Sequence, residues 1–159
     1  MKPLKKVVTL PPFVKEGYVG FSHSDGSVYA AQEFHAPFIN HLCSKINVVV
    51  PGTGVYETRG KDNVPLQPIA TSCLLKPDKT VYINLDYNEA IRYLRGEALA
   101  LPDGTPRGFL LAAYQNMPLG WMKNIGKRAN NLYPKEWRIK STYAPNEYEP
   151  IIYLKNDRQ

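Results

Sequence analysis

The sequence predicts an α+β fold that is mostly β, and three observations carry that prediction. The 14 prolines are spread so that no gap between them exceeds 24 residues. Long helices are thereby excluded, because an interior proline removes a hydrogen bond and clashes with the preceding turn. Short runs rich in Tyr and Val lie between turn residues, the pattern of strands. Two stretches, Ala36–Ile46 and Tyr87–Arg95, instead repeat apolar residues at helical spacing. With 159 residues, 43% apolar and 21% charged, the composition is globular and large enough for one domain or two small ones.

In chain order, Gly17–Ser22 and Ser27–Ala31 flank a Ser24-Asp25-Gly26 turn and read as a hairpin. In the helix that follows, Phe38, Ile39, Leu42, Cys43 and Ile46 form one stripe. Val48–Val50 and Val55–Arg59 are expected as strands around the turn Pro51-Gly52-Thr53-Gly54. Pro65–Leu75 reads as a short helical turn or loop interrupted by Pro68, and Thr80–Leu85 alternates like a strand. Tyr87–Arg95 has the clearest helix signals. Asp86 stands at the N-cap, Glu89 completes a capping box, and Gly96 suits the left-handed residue past the end. Tyr87, Ala90, Ile91 and Leu94 make its buried stripe. Asp103-Gly104 is a turn. Gly108–Tyr114 reads as a buried strand and Leu119–Asn124 as its hairpin partner across Gln115–Pro118. Trp137–Lys140 is expected as a final short strand, and Ile151–Leu154 as one more strand in a polar tail.

Charge narrows the functional classes. The chain has 20 Lys and Arg against 14 Asp and Glu, a net charge of +6. Residues 1–15 carry +4 on Lys2, Lys5, Lys6 and Lys15, and read as a flexible Lys-rich N-terminus. Residues 16–58 carry −3. Residues 108–140 carry +5, from Lys123, Lys127, Arg128, Lys135, Arg138 and Lys140 against Glu136 alone. In that stretch the cations interleave with Trp121, Tyr133 and Trp137, a combination suited to phosphate contact and base stacking. The longest apolar run, Phe109 to Tyr114, is six residues, which excludes a membrane-spanning helix. Two cysteines cannot build a disulfide framework, so a reducing, cytoplasmic compartment is expected.

Catalytic motifs do not emerge. Cys43 lies on an apolar helix stripe, the place of a packed core thiol. Cys73 follows Thr71-Ser72 with no His near it in sequence, so a nucleophilic role has nothing specific behind it. His23, His35 and His41 lack metal-ligand spacing with either cysteine. Ser22, His23 and Asp25 share one turn, whereas triads draw on separated segments. Gly52-Thr53-Gly54 has neither the third glycine nor the lysine of a phosphate loop. No catalytic residue, cofactor or metal is therefore expected, and the chain reads as a binder.

Two motifs add a resemblance. Tyr87-Asn88-Glu89-Ala90-Ile91-Arg92-Tyr93-Leu94-Arg95-Gly96-Glu97 contains an Ala-Ile-x-Tyr-Leu-Arg-Gly-Glu pattern. Downstream come Pro118-Leu119-Gly120-Trp121 and a segment from Lys123 to Ile139 that includes Asn131-Leu132-Tyr133-Pro134-Lys135. Together they resemble the C-terminal, PUA-like RNA-binding region of bacterial RsmF-type rRNA cytosine-5 methyltransferases. The strong likeness covers about residues 86–140. A weaker one runs back through Gly54–Ala70, where Lys61-Asp62-Asn63-Val64-Pro65 is similar to a turn of that barrel. The resemblance implies a PUA-like β-barrel over residues 46–142, a small α+β segment over 1–45 and a polar tail over 143–159.

The same resemblance implies RNA, ribosomal by family, as the partner. Lys123, Lys127, Arg128, Lys135 and Arg138 would neutralise phosphates, Asn130 and Asn131 would bond sugars or base edges, and Tyr133 and Trp137 would offer stacking faces. Two departures limit it. The family commonly has a Ser-His pair where Leu66-Gln67-Pro68 stands here, so that histidine's role is not carried over. The S-adenosylmethionine-binding catalytic motifs are missing as well, which leaves a methyltransferase domain to be supplied in cis or in trans. The alternative is a protein–protein adaptor that docks on a separate methyltransferase or ribosomal component through the acidic, Tyr-containing stretch 16–58. A small-molecule enzyme using Cys73 is the weakest reading.

Overall fold

Tight turns organise the first sheet of the computed structural model, which describes residues 6–126, 128–141 and 143. The Ser27 N–H donates to the Asp25 carboxylate at 2.8 Å, closing the hairpin between β2 (Tyr18–Ser22) and β3 (Ser27–Gln32). β1 (Lys6–Val8) pairs with β2, so within the Lys-rich N-terminus residues 6–8 belong to the sheet, while Lys2 and Lys5 lie outside the described residues. β4 (Thr53–Arg59) pairs with β3 and turns through Gly60 and Lys61 into β5 (Asp62–Pro65). All five strands are antiparallel, in the order β1-β2-β3-β4-β5. This sheet draws strands from both sides of residues 45 and 46.

Between β3 and β4 lies α1 (Ala36–Lys45), a helix where periodicity predicts one. Its stripe, however, is not in the core. None of its residues is buried, Phe38 is exposed and Cys43 is half-buried. Cys43 is therefore not a packed core thiol. Periodicity creates an apolar face, but tertiary packing decides what covers it, and no residue of α1 belongs to either buried cluster. The Val48–Val50 strand is also absent: Val49 and Val50 are exposed, and both edges of β4 are already paired. The turn foreseen at Pro51–Gly54 is shorter, because Thr53 and Gly54 belong to β4.

The second sheet has the order β6-β7-β8-β9, from β6 (Tyr82–Leu85), β7 (Gly108–Tyr114), β8 (Met117–Asn124) and β9 (Ala129–Asn131). β6 runs parallel to β7, and the crossover between them carries α3 (Tyr87–Leu94). The capping box forms as expected. Glu89 N–H donates to Asp86 Oδ1 at 2.8 Å and Asp86 N–H to Glu89 Oε2 at 3.1 Å. Gln115 and Asn116, at φ +48° and +63°, make a two-residue turn, so Met117 and Pro118 enter β8 and are not loop. The polar β5 and β9 are edge strands that hydrophobic patterning passes over. Trp137–Lys140 is not a strand. Lys135–Trp137 is a 3-10 turn after Pro134, and Ile139 N–H donates to Leu94 O at 3.0 Å across the end of α3. Ile151–Leu154 lies outside the described residues.

Val14, Ala30, Val55, Leu111 and Trp121 form one core cluster with Ile69 and Ala70 of α2 (Gln67–Ala70), joining the two sheets. Leu85, Ala90, Tyr93, Ala112 and Met122 form a second cluster under α3. Neighbours Leu111 and Ala112, like Trp121 and Met122, thus serve opposite faces of the second sheet. That two-sided burial explains why Leu110–Ala113 is continuously apolar. The chain is α+β with two sheets, and no ladder joins them among the described residues.

Candidate nucleic-acid interface

The basic stretch is held by a buried polar node in the middle of β8. Gly120 leaves room for two side chains: a Cβ there would lie 2.4 Å from Gln67 Oε1 and 2.6 Å from Tyr93 Oη. Gln67 Nε2 donates to Leu119 O at 2.6 Å and Tyr93 Oη to Trp121 O at 3.0 Å. Trp121 Nε1 donates to Leu66 O at 3.1 Å, which ties β8 to the residue before α2. Burial, reinforced by neighbouring Tyr133, pushes the Tyr93 hydroxyl far above its ordinary value and keeps it a neutral donor. Gln67 and Tyr93 are what sequence reasoning missed. The one available sign was that Gln67 occupies the place where the resembled family carries Ser-His.

Eight of the nine sequence-predicted residues divide into two groups. Four spend their polar or aromatic groups inside the molecule. Lys123 pairs with Asp62 of β5, and its ammonium sits 5.3 Å from the Phe109 ring centre. Asn131 donates to Tyr93 O at 2.7 Å and Glu97 O at 3.0 Å and accepts from Tyr133 N–H at 2.8 Å, pinning β9 to the end of α3. Tyr133 sets its ring edge-on to Tyr93, centroids 5.5 Å apart. Arg138 lies across Gly96, where a Cβ would come within 2.3 Å of its Nε, and its Nη2 donates to Tyr133 O at 3.4 Å.

Arg128, Asn130, Lys135 and Trp137 are exposed. Among the described residues, no ion pair engages Arg128 or Lys135. Lys127 lies outside the described residues. Trp137 ends a ladder of rings that runs outward from Tyr93 through Tyr133, its centroid 6.3 Å from that of Tyr133. It also lines a cleft of about 650 Å³ with Tyr29, Val50, Thr53, Leu66 and Pro68. No group of three or more His, Cys, Asp or Glu residues could hold a metal among the described residues. Nor is any described helix long and apolar enough to cross a membrane.

The comparison with known proteins falls on this same part of the chain. Residues 80–139, which run from the approach to β6 to the segment packed across α3, match the family model of the methyltransferase RsmF PUA domain. Ribosomal RNA small subunit methyltransferase F of Shewanella woodyi is 40% identical over 60 residues, 37% of this chain. The match spans 13% of that protein's length. By these matches residues 80–139 are similar to the PUA-like region of RsmF-type proteins.

Proposed function

We propose that this chain is an RNA-binding module whose partner is ribosomal RNA, working beside a methyltransferase domain present in cis or in trans. The match of residues 80–139 to a PUA domain of an rRNA methyltransferase family carries the reading. Arg128, Lys135 and Lys127 contact phosphates, Asn130 bonds sugar or base edges, and Trp137 offers a stacking face. The chain contributes binding and positioning, and the partner domain contributes catalysis.

The test is RNA affinity by fluorescence anisotropy at two salt concentrations. If Lys127, Arg128, Lys135 and Lys140 each neutralise one phosphate, the log–log salt slope is about −2.8 to −3.6. A fourfold rise in salt then weakens binding roughly 50- to 150-fold. Arg128→Glu combined with Lys135→Glu flattens the slope and lowers affinity. A salt-insensitive affinity, or a double variant that binds like wild type, refutes the proposal.

A second reading, a protein adaptor, is favoured by the exposed apolar side chains Phe34, Phe38, Ile46, Val49 and Val50 on and around α1. A protein partner retained on the immobilised chain after RNase treatment supports it. Loss of that partner on RNase treatment refutes it.

A further inference from the structure

We infer that the cleft beside Trp137 is a receptor for a single unstacked nucleobase, a subsite that rests on the RNA-binding reading and gives it a location. Its volume of about 650 Å³ lies in the range of small-ligand sites, which runs from about 300 to 1,000 Å³. Tyr29, Val50, Leu66 and Pro68 give it an apolar lining, Trp137 supplies a large flat ring, and no charged residue lines it. A site of that kind takes an uncharged planar ring and rejects a bare anion.

Polar selection is available at the wall. The hydroxyls of Thr53 and Thr71 have no side-chain hydrogen bond among the described residues, whereas that of Ser72 donates to Ile69 O at 3.1 Å. Two threonine hydroxyls beside an apolar lining suit the donor and acceptor edge of a base. The backbone that follows such a base meets positive charge: Lys135 and Lys140 flank Trp137 within three residues and are exposed. Trp137 itself is 56% exposed, a surface that a stacked ring would cover. Unstacked bases in single strands, loops and bulges can splay out onto such rings, while paired bases cannot.

The two tryptophans make the proposal measurable. Trp121 is 3% exposed and serves as an internal reference, so a base stacked on Trp137 quenches only the accessible part of the emission. The probes are an eight-nucleotide single-stranded oligocytidylate and a fully paired RNA duplex of the same length. The single strand is expected to quench Trp137 and the duplex to leave it bright. Trp137→Ala abolishes the quench and weakens single-strand binding about fivefold or more, and Trp137→Phe restores most of that affinity. Thr71→Phe, an exposed substitution that fills the cleft from its wall, weakens single-strand binding in the same way. If both RNAs bind with the expected salt dependence but without quenching, and Trp137→Ala binds like wild type, the cleft is not a base receptor and the RNA-binding reading survives. If neither RNA binds, both proposals fail.

Discussion

Replacing Gly120 by alanine tests the account of how β8 is positioned. The added Cβ would stand 2.4 Å from Gln67 Oε1 and 2.6 Å from Tyr93 Oη, well inside contact distance. The Gln67 amide can withdraw only by giving up its bond to Leu119 O, and Gln67 is itself 8% exposed. Tyr93 is completely buried, and its ring cannot swing without disturbing the cluster under α3. Overpacking typically costs about 1–3 kcal/mol, and each buried polar group left without a partner costs roughly 1–3 kcal/mol more. The expected loss is about 2–6 kcal/mol, a large part of the ~5–15 kcal/mol that a domain has in total. Urea denaturation followed by circular dichroism and tryptophan emission measures it. A double-mutant cycle with Gln67→Ala should show coupling of about 1 kcal/mol or more, because removing the amide relieves part of the clash. A Gly120→Ala variant less than about 1 kcal/mol below wild type, with no coupling to Gln67, refutes the reasoning.

Two neighbouring asparagines should part company. Asn131→Ala removes two hydrogen bonds from β9 to the end of α3 and a local one from Tyr133 N–H, and is expected to cost about 2–3 kcal/mol in denaturation. Asn130→Ala, on an exposed side chain, should stay within about 0.5 kcal/mol of wild type while lowering RNA affinity. The cysteines should also separate under alkylation at neutral pH. Burial pushes the Cys43 thiol up and shrinks its reactive thiolate fraction, whereas Cys73 is exposed. Peptide mass spectrometry after brief iodoacetamide treatment should find Cys73 modified first, and equal rates would contradict the partial burial of Cys43.

Local rules determined much of this protein from sequence alone. The capping box of α3, its stop at Gly96, the β2–β3 hairpin and the buried run of β7 each depend on residues within about one turn or one strand of each other. Such signals survive in the linear pattern. The motifs from Pro118 to Trp137 also pointed to the RsmF-type region that residues 80–139 match. Tertiary structure alone decided the rest. The α1 stripe looked like core because periodicity records amphipathicity and not what lies opposite, and its residues are at most half-buried. β5 and β9 hold their edges through backbone hydrogen bonds, which leave no hydrophobic alternation to read. Within the basic stretch, composition could not separate Lys123, paired with an aspartate from a distant strand, from Arg128, turned outward. Charge is a property of the residue, whereas its availability to a ligand depends on which other segment the fold brings beside it.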